Sequence, residues 1–256
     1  MAEKIRLLFV AAQPGNNASL RLDREARAIT QAISREAGRD AVDLRFEWAT
    51  GISDLQPALR QHRPHIVHFA GHGGREAGIY LESSTGDWQP VHKAALGNLF
   101  AALNGCVRLV VLNACETHAL TDAFADVVDY MVGMSHVVHD DASLAFSEAF
   151  YGALAGGSSV DQAFAMGVNR LELEAHEDAD VPMLRVRRGV DRTGSIFPRA
   201  PARTEQAPRR RDGPGPHVTV RDQAHVGAMN IVDAERSVIH TTITQGGRPP
   251  ASDSDG

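Results

Sequence analysis

An α/β fold with a mostly parallel central sheet and helices on both faces is predicted by three features of the chain. Short runs are almost wholly apolar, amphipathic segments separate them, and two of the runs end abruptly in small or reactive residues. Strands covered on both sheet faces read as continuous apolar runs, whereas half-exposed strands alternate. Strands and helices that alternate along a chain assemble into such a sheet through crossovers.

The first run, Arg6-Leu7-Leu8-Phe9-Val10-Ala11-Ala12, is broken by Pro14-Gly15-Asn16-Asn17 and predicts a central strand with its turn. Leu22, Ala26, Ile29 and Ile33 then share one helical face, with Arg21, Asp23, Arg24 and Arg35 elsewhere, so an amphipathic helix packs on the sheet. No Gly-Lys-Ser/Thr follows the glycine turn, which argues against a phosphate loop and nucleotide hydrolysis. Val42, Leu44, Phe46 and Trp48 have the period of a half-exposed strand. A helix over Ile52–His62 leads to a buried strand over His65–Ala70, and after a glycine-rich loop Gly78–Glu82, a turn at Ser83–Asp87 and Trp88 predict a hairpin. A helix from Val91 to Leu103 precedes a strand over Val107–Leu112. A helix over Leu120–Val128, starting just after Cys115, precedes a buried strand over Tyr130–Met134. Val138, Ala142, Ala145, Phe146, Ala149, Phe150 and Ala153 recur at helical spacing, with Asp140 and Asp141 in the first turn and Gly156-Gly157 as the stop. Ser159-Val160-Asp161-Gln162 has the form of a capping box opening a helix to about Glu174, and Val181–Val186 is the last strand.

Composition narrows the functions. With 256 residues and 43% hydrophobic side chains there is material for one full domain and a tail. A net charge of −6 gives no general attraction to nucleic acid or anionic membrane, so neither is an expected partner. No stretch approaches the roughly 20 apolar residues of a membrane span, and Met1–Arg6 lacks the pattern of a signal peptide, so a cytoplasmic protein is expected. In that compartment Cys106 and Cys115 stay reduced, and two cysteines without a Cys-x-x-Cys make no zinc framework. Strand alternation turns His65 and His68 to opposite faces, no carboxylate cluster follows His72, and Cys115-x-x-His118 lacks a second pair, so no metal and no cofactor is expected. Near Phe197 the composition changes, and prolines alternating with arginines predict a domain over residues 1–197 and a linker over 198–216. Residues 217–256 hold β-prone islands, His217–Arg221, Asn230–Val232 and Ser237–Thr244, and a polar, disordered end.

Chemistry gathers at two strand ends. His65-Ile66-Val67-His68-Phe69-Ala70-Gly71-His72-Gly73-Gly74 delivers an imidazole among glycines, and Leu109-Val110-Val111-Leu112-Asn113-Ala114-Cys115-Glu116-Thr117 delivers a thiol. The carboxyl edge of an open α/β sheet is where such folds keep their sites. A thiol needs a neighbouring base or positive field to become a thiolate, and glycines beside a histidine let a substrate backbone approach. The positive end of the helix expected after Cys115 adds to that field. Cys106, at the start of its strand, is read as packing.

The His-Gly and Ala-Cys-Glu-Thr phrases, together with Val132-Gly133-Met134 and Phe146-Ser147-Glu148-Ala149-Phe150-Tyr151, resemble the CHAT-domain family of caspase- and separase-like cysteine peptidases of clan CD, over roughly Lys4 to Arg187. The resemblance implies a caspase-like three-layer α/β/α fold and a cysteine endopeptidase acting on a protein or peptide substrate. Cys115 is then the nucleophile, His72 the base, and the N–H groups of Gly73 and Cys115 the oxyanion hole. It further implies a gated effector of bacterial defence or programmed cell death, switched on by an activating partner, a small-molecule signal or clustering. The C-terminal segment is similar to the amyloid-type signalling motifs of bacterial immune effectors, which makes self-assembly through residues 217–256 an expectation. His118-Ala119 stands where the family commonly has a glycine or small residue. Glu116 and Asp141 are candidates to line a substrate pocket for Arg or Lys. Two other readings stay open, a catalytically silent scaffold that binds a small-molecule signal or a peptide, and an assembly adaptor acting through its C-terminal segment.

Overall fold

The structure, a computed structural model, describes residues 4–12, 22–74, 78–103, 105–120, 124 and 126–196. The turn predicted at Pro14–Asn17, the linker over 198–216 and the segment 217–256 lie outside the described residues. In chain order the elements are β1 (Ile5–Ala12), α1 (Leu22–Arg35), β2 (Val42–Glu47), α2 (Ile52–His62), β3 (Ile66–Gly71), β4 (Gly73–Gly74), β5 (Gly78–Glu82), β6 (Trp88–Val91), α3 (Lys93–Ala102), β7 (Leu109–Asn113), β8 (Tyr130–Met134), α4 (Asp140–Ala155), α5 (Val160–Leu173) and β9 (Pro182–Val186). The apolar runs form a sheet in the order β2-β1-β3-β7-β8-β9, parallel throughout except that β9 runs antiparallel to β8. A small antiparallel sheet, β4-β5-β6, stands beside it.

Alternation along each strand divides the buried side chains into two cores. Leu7, Phe9, Ile66, Leu109, Val111 and Val132 face α1, α4 and α5. Leu8, Val10, Val67, Phe69, Val110 and Leu112 face α2 and α3. The result is the three-layer α/β/α arrangement that the apolar runs predict. Helix boundaries follow the sequence signals closely. Ser159 Oγ accepts from the Gln162 N–H at 3.3 Å while Gln162 Oε1 accepts from the Ser159 N–H at 3.1 Å, the reciprocal pair of a capping box. Gly156 and Gly157 end α4, Gly157 with φ +93°.

Two elements differ from expectation. The helix after the hairpin starts at Lys93 rather than Val91, because Val91 pairs with Ile79 as the last residue of β6. β4 was not foreseen, since two glycines carry no strand signal. The helix predicted over Leu120–Val128 falls partly outside the described residues, which lack 121–123 and 125; Phe124 within it is helical, and a 3-10 turn over Thr117–Leu120 precedes it. No helix among the described residues is long and apolar enough to cross a membrane.

The α4–α5 contact is tight. A Cβ built on Gly167 would lie 2.6 Å from Cε2 of Phe146, a ring that is buried and stacked on Phe150 at 5.6 Å. Gly167→Leu is expected to destabilise the domain by about 1–3 kcal/mol through overpacking, outweighing the roughly 1 kcal/mol that leaving glycine gains in a helix. A thermal or urea melt checks this.

Candidate active site

Strands β3 and β7 pair in parallel with Ile66 opposite Leu109 and Ala70 opposite Asn113. The ladder ends there, and two residues further along each chain stand His72 and Cys115. Both side chains leave the sheet on the face of α1 and α4, because they share the parity of Ala70 and Val111. They border one small cleft of about 60 Å³ together with Glu25, Asn113, Asp140 and Ser143. Imidazole and thiol, 43 positions apart in the sequence, therefore border the same cleft at the carboxyl edge of adjacent strands.

The turn that carries the thiol is held from several sides. Thr117, fully buried, directs its hydroxyl at the carbonyls of Ala114 (2.9 Å) and Leu112 (3.2 Å) and accepts from the Met134 N–H at 3.0 Å. Glu116 adopts φ +54°, a left-handed conformation that a side chain disfavours, and its N–H donates to the His136 carbonyl at 3.2 Å. Backbone strain of this kind is stored where the surrounding contacts over-determine the turn. Opposite, a Cβ on Gly73 would lie 2.3 Å from the Cys115 carbonyl oxygen and 2.8 Å from Thr117 Cγ2, so only glycine lets the two loops touch. The Tyr80 N–H donates to the His72 carbonyl at 3.0 Å, which makes Gly73 and Ile79 a non-hydrogen-bonded pair and turns the Gly73 N–H away from β5.

His72 is half-buried, with its Nε2 out of reach of solvent and of any hydrogen-bond partner among the described residues. The edge of the ring pair with Trp88 stands at 4.4 Å between centroids and 62° between planes. Burial holds the imidazole below the ordinary histidine range, opposed by the negative charge of Asp140. Cys106 differs from Cys115: its thiol donates to the Pro64 carbonyl at 3.3 Å, and burial pushes it up, away from thiolate, against the pull of Arg63 and Arg6.

A buried polar layer lies under the pair. Glu25 of α1 is 6% exposed and its Oε1 accepts from the Asn113 amide and, at 2.8 Å, from the Ser147 hydroxyl of α4. His68, completely buried, brings Nε2 to 3.1 Å from the same oxygen, bent out of hydrogen-bond alignment, and Nδ1 to 3.0 Å from the Tyr151 hydroxyl. Burial and the Glu25 charge push the Tyr151 phenol well above its ordinary value, so it stays protonated and donates to His68. Asn113 Oδ1 is left buried without a partner.

Of the residues singled out in the sequence, His72, Gly73 and Cys115 come together. Glu116 and Asp141 do not border the cleft; Asp141 Oδ1 accepts from the Ala142 N–H at 3.0 Å in the first turn of α4, and its neighbour Asp140 lines the wall instead. The start of the helix expected after Cys115, and with it the positive end, falls on residues outside the description. Glu25, Asn113, Asp140 and Thr117 were not assigned a site role from sequence. A signal for Glu25 exists, since it falls within the stripe Leu22, Ala26, Ile29 at helical spacing and is thus a carboxylate on a buried face.

A family model described as the CHAT domain matches residues 3–174. A Roc-COR-CHAT protease from an unknown prokaryotic organism is 21% identical over 199 residues, covering 70% of this chain and 18% of that protein. A probable protease of Gillisia limnaea is 22% identical over 157 residues, covering 60% of this chain and 28% of that protein. The chain thus spans less than a third of the length of either relative. Among solved structures, caspase-1 from Spodoptera frugiperda superimposes with a TM-score of 0.48 at 9% identity, covering 72% of this chain and 86% of that one. A secreted C11 cysteine protease from Bacteroides thetaiotaomicron gives 0.42 at 10% identity, covering 60% and 58%.

Two outcomes follow from the geometry. Thr117→Val, nearly isosteric, leaves the buried Met134 N–H without its acceptor and is expected to lower stability by about 1–3 kcal/mol, read from a urea melt. Asp140→Asn removes the charge that favours the imidazolium, so the His72 titration followed by NMR is expected to move to lower pH; movement upward contradicts the assigned coupling.

Proposed function

The chain belongs to the CHAT domain family, and on that premise we propose that it is a cysteine endopeptidase whose catalytic pair is Cys115 and His72. The observation that carries this reading is the β3–β7 register, which brings the two side chains to one cleft although nothing in their separate packing requires it. Because burial disfavours the imidazolium, His72 starts neutral and acts as a base. It takes the thiol proton as Cys115 Sγ bonds to the scissile carbonyl carbon, and the carbonyl oxygen gathers the negative charge between the N–H groups of Gly73 and Cys115. The imidazolium then protonates the departing amine as the C–N bond breaks, leaving a thioester on Cys115. Water, deprotonated by His72, attacks that thioester and releases the carboxylate product and the thiol.

The same proposal takes the protein to be a gated effector of bacterial defence or programmed cell death, held silent until a partner, a small-molecule signal or clustering through residues 217–256 switches it on. A free protease harms its own cell, so gating accompanies the assignment. The names of the two curated relatives, a protease and a probable protease, support the peptidase half of it.

Cys115→Ala and His72→Ala are each expected to reduce peptide cleavage on the order of 10⁴-fold or more while leaving the melting transition in place. Cleavage that survives Cys115→Ala removes the reading. Deleting residues 198–256 is expected to abolish triggered activation in cells; undiminished activation excludes clustering through that segment.

A further inference from the structure

We infer that Trp88 is a positioning residue for His72: its indole, carried on the β5–β6 hairpin, walls one side of the imidazole off from water and fixes the plane in which that ring stands. This rests on the peptidase reading above and adds to it a residue that sets the base without itself reacting.

The placement follows from the small sheet. Gly73 lies opposite Ile79, and one step before it the Tyr80 N–H donates to the His72 carbonyl at 3.0 Å, so His72 stands level with Tyr80. Level residues project to the same face of a sheet, and the imidazole and the phenol therefore share one. Trp88 pairs with Glu82, two positions along from Tyr80, which makes it the diagonal neighbour of Tyr80 on that face and within aromatic reach. The rings meet as this register requires: Tyr80 and Trp88 are 5.8 Å apart at 72°, and Trp88 and His72 are 4.4 Å apart at 62°. On the opposite face Ile79 and Leu81 anchor β5 in the core. The turn that precedes Trp88 is braced as well. Ser83 N–H donates to the Asp87 carbonyl at 2.9 Å, Asp87 N–H to Ser83 Oγ at 3.1 Å, and the Thr85 hydroxyl to the Asp87 carboxylate at 2.8 Å.

An indole held there acts on the imidazole in two ways. Trp88 is itself 37% exposed, so it adds little to the core, yet His72 Nε2 beside it is sealed from solvent and has no hydrogen-bond partner among the described residues. With no hydrogen bond at Nε2, the ring contact is what orients the imidazole. The second effect is electrostatic and has two opposed parts. An indole face attracts a cation, which favours the protonated ring, whereas a charged group sealed from water without a partner is disfavoured, and the second effect is the larger. His72 accordingly stands below the ordinary histidine range, with burial as the main cause. The other titratable groups around it are Arg24 and Glu25 of α1, Cys115 of the β7 turn and Asp140 of α4, all bordering the cleft, and Tyr80 of the hairpin. Of these, Asp140 pulls against burial.

The test uses the full chain with Trp88→Ala or Trp88→Phe, following the His72 titration by NMR and, in the triggered form, peptide cleavage across pH. In Trp88→Ala the His72 midpoint is expected to move to higher pH, toward the ordinary histidine range, and the acid limb of kcat/KM to move with it. The loosened imidazole is expected to lower kcat about tenfold or more, with KM changed less, and Trp88→Phe to restore most of both effects. A second readout leaves the ring pair intact. The chain has two tryptophans, so the emission of Trp48→Phe is that of Trp88; it is expected to be quenched as His72 gains its proton, and to lose that pH dependence in His72→Ala. A His72 midpoint that stays in place or falls in folded Trp88→Ala overturns the inference while the peptidase reading stands. So does a raised KM with kcat and titration unchanged, which makes Trp88 a substrate contact. Trp88 emission indifferent to the His72 titration overturns it whether or not the alanine variant folds. Titration and emission as expected, with no peptide cleaved by the triggered chain, keep the positioning and remove the peptidase.

Discussion

The pairing of β3 with β7 is the constraint on which the rest depends. Five consecutive cross-strand pairs between two buried parallel strands fix which residues lie level at the sheet edge. Strand side chains alternate, so a slip of one residue would send every inward-facing group to the other layer. The register is protected by burial on both faces: Ile66, Leu109 and Val111 fill one core, Val67, Phe69, Val110 and Leu112 the other. Two residues far apart along the chain, His72 and Cys115, are thus carried to one cleft by hydrophobic packing well below them.

Between that packing and the cleft lies a polar layer that ties the sheet to two helices. Glu25 comes from α1, Ser147 and Tyr151 from α4, His68 from β3 and Asn113 from β7, and their contacts converge on a single carboxylate oxygen and a single imidazole. Inside a protein such a network is strong when satisfied and heavily penalised when broken. It fixes the distance of α1 and α4 from the strand ends, and those helices form the cleft walls. Phe9 stacked on His68 at 4.9 Å closes the layer from the apolar side.

Most of the architecture was legible in the residues. Continuous apolar runs located the four central parallel strands, Ser159 and Gln162 announced a helix start, and the two strand ends carrying His72 and Cys115 stood out by their small neighbours. What escaped the sequence was whatever depends on a partner distant in the chain. Thr117 reads as a turn residue until Met134 is placed beside it. Asn113 reads as a strand end until Glu25 arrives from another layer. Asp141 and Asp140 are equivalent on paper, both in the first turn of a helix, and only the direction in which that helix meets the sheet selects Asp140 for the wall. The 3-10 turn over Thr117–Leu120 likewise needs its partners in view, since the Thr117 hydroxyl is bonded to the carbonyls of Leu112 and Ala114.

The central claim is that His72 and Cys115 form one chemical unit, and alkylation of Cys115 by iodoacetamide across the pH range tests it most directly, with each site identified by mass spectrometry. The account predicts a rate profile in the wild-type chain that follows His72, and in His72→Ala a profile that reverts to that of an isolated thiol near pH 8.5. Superimposable profiles from the two folded proteins would contradict it.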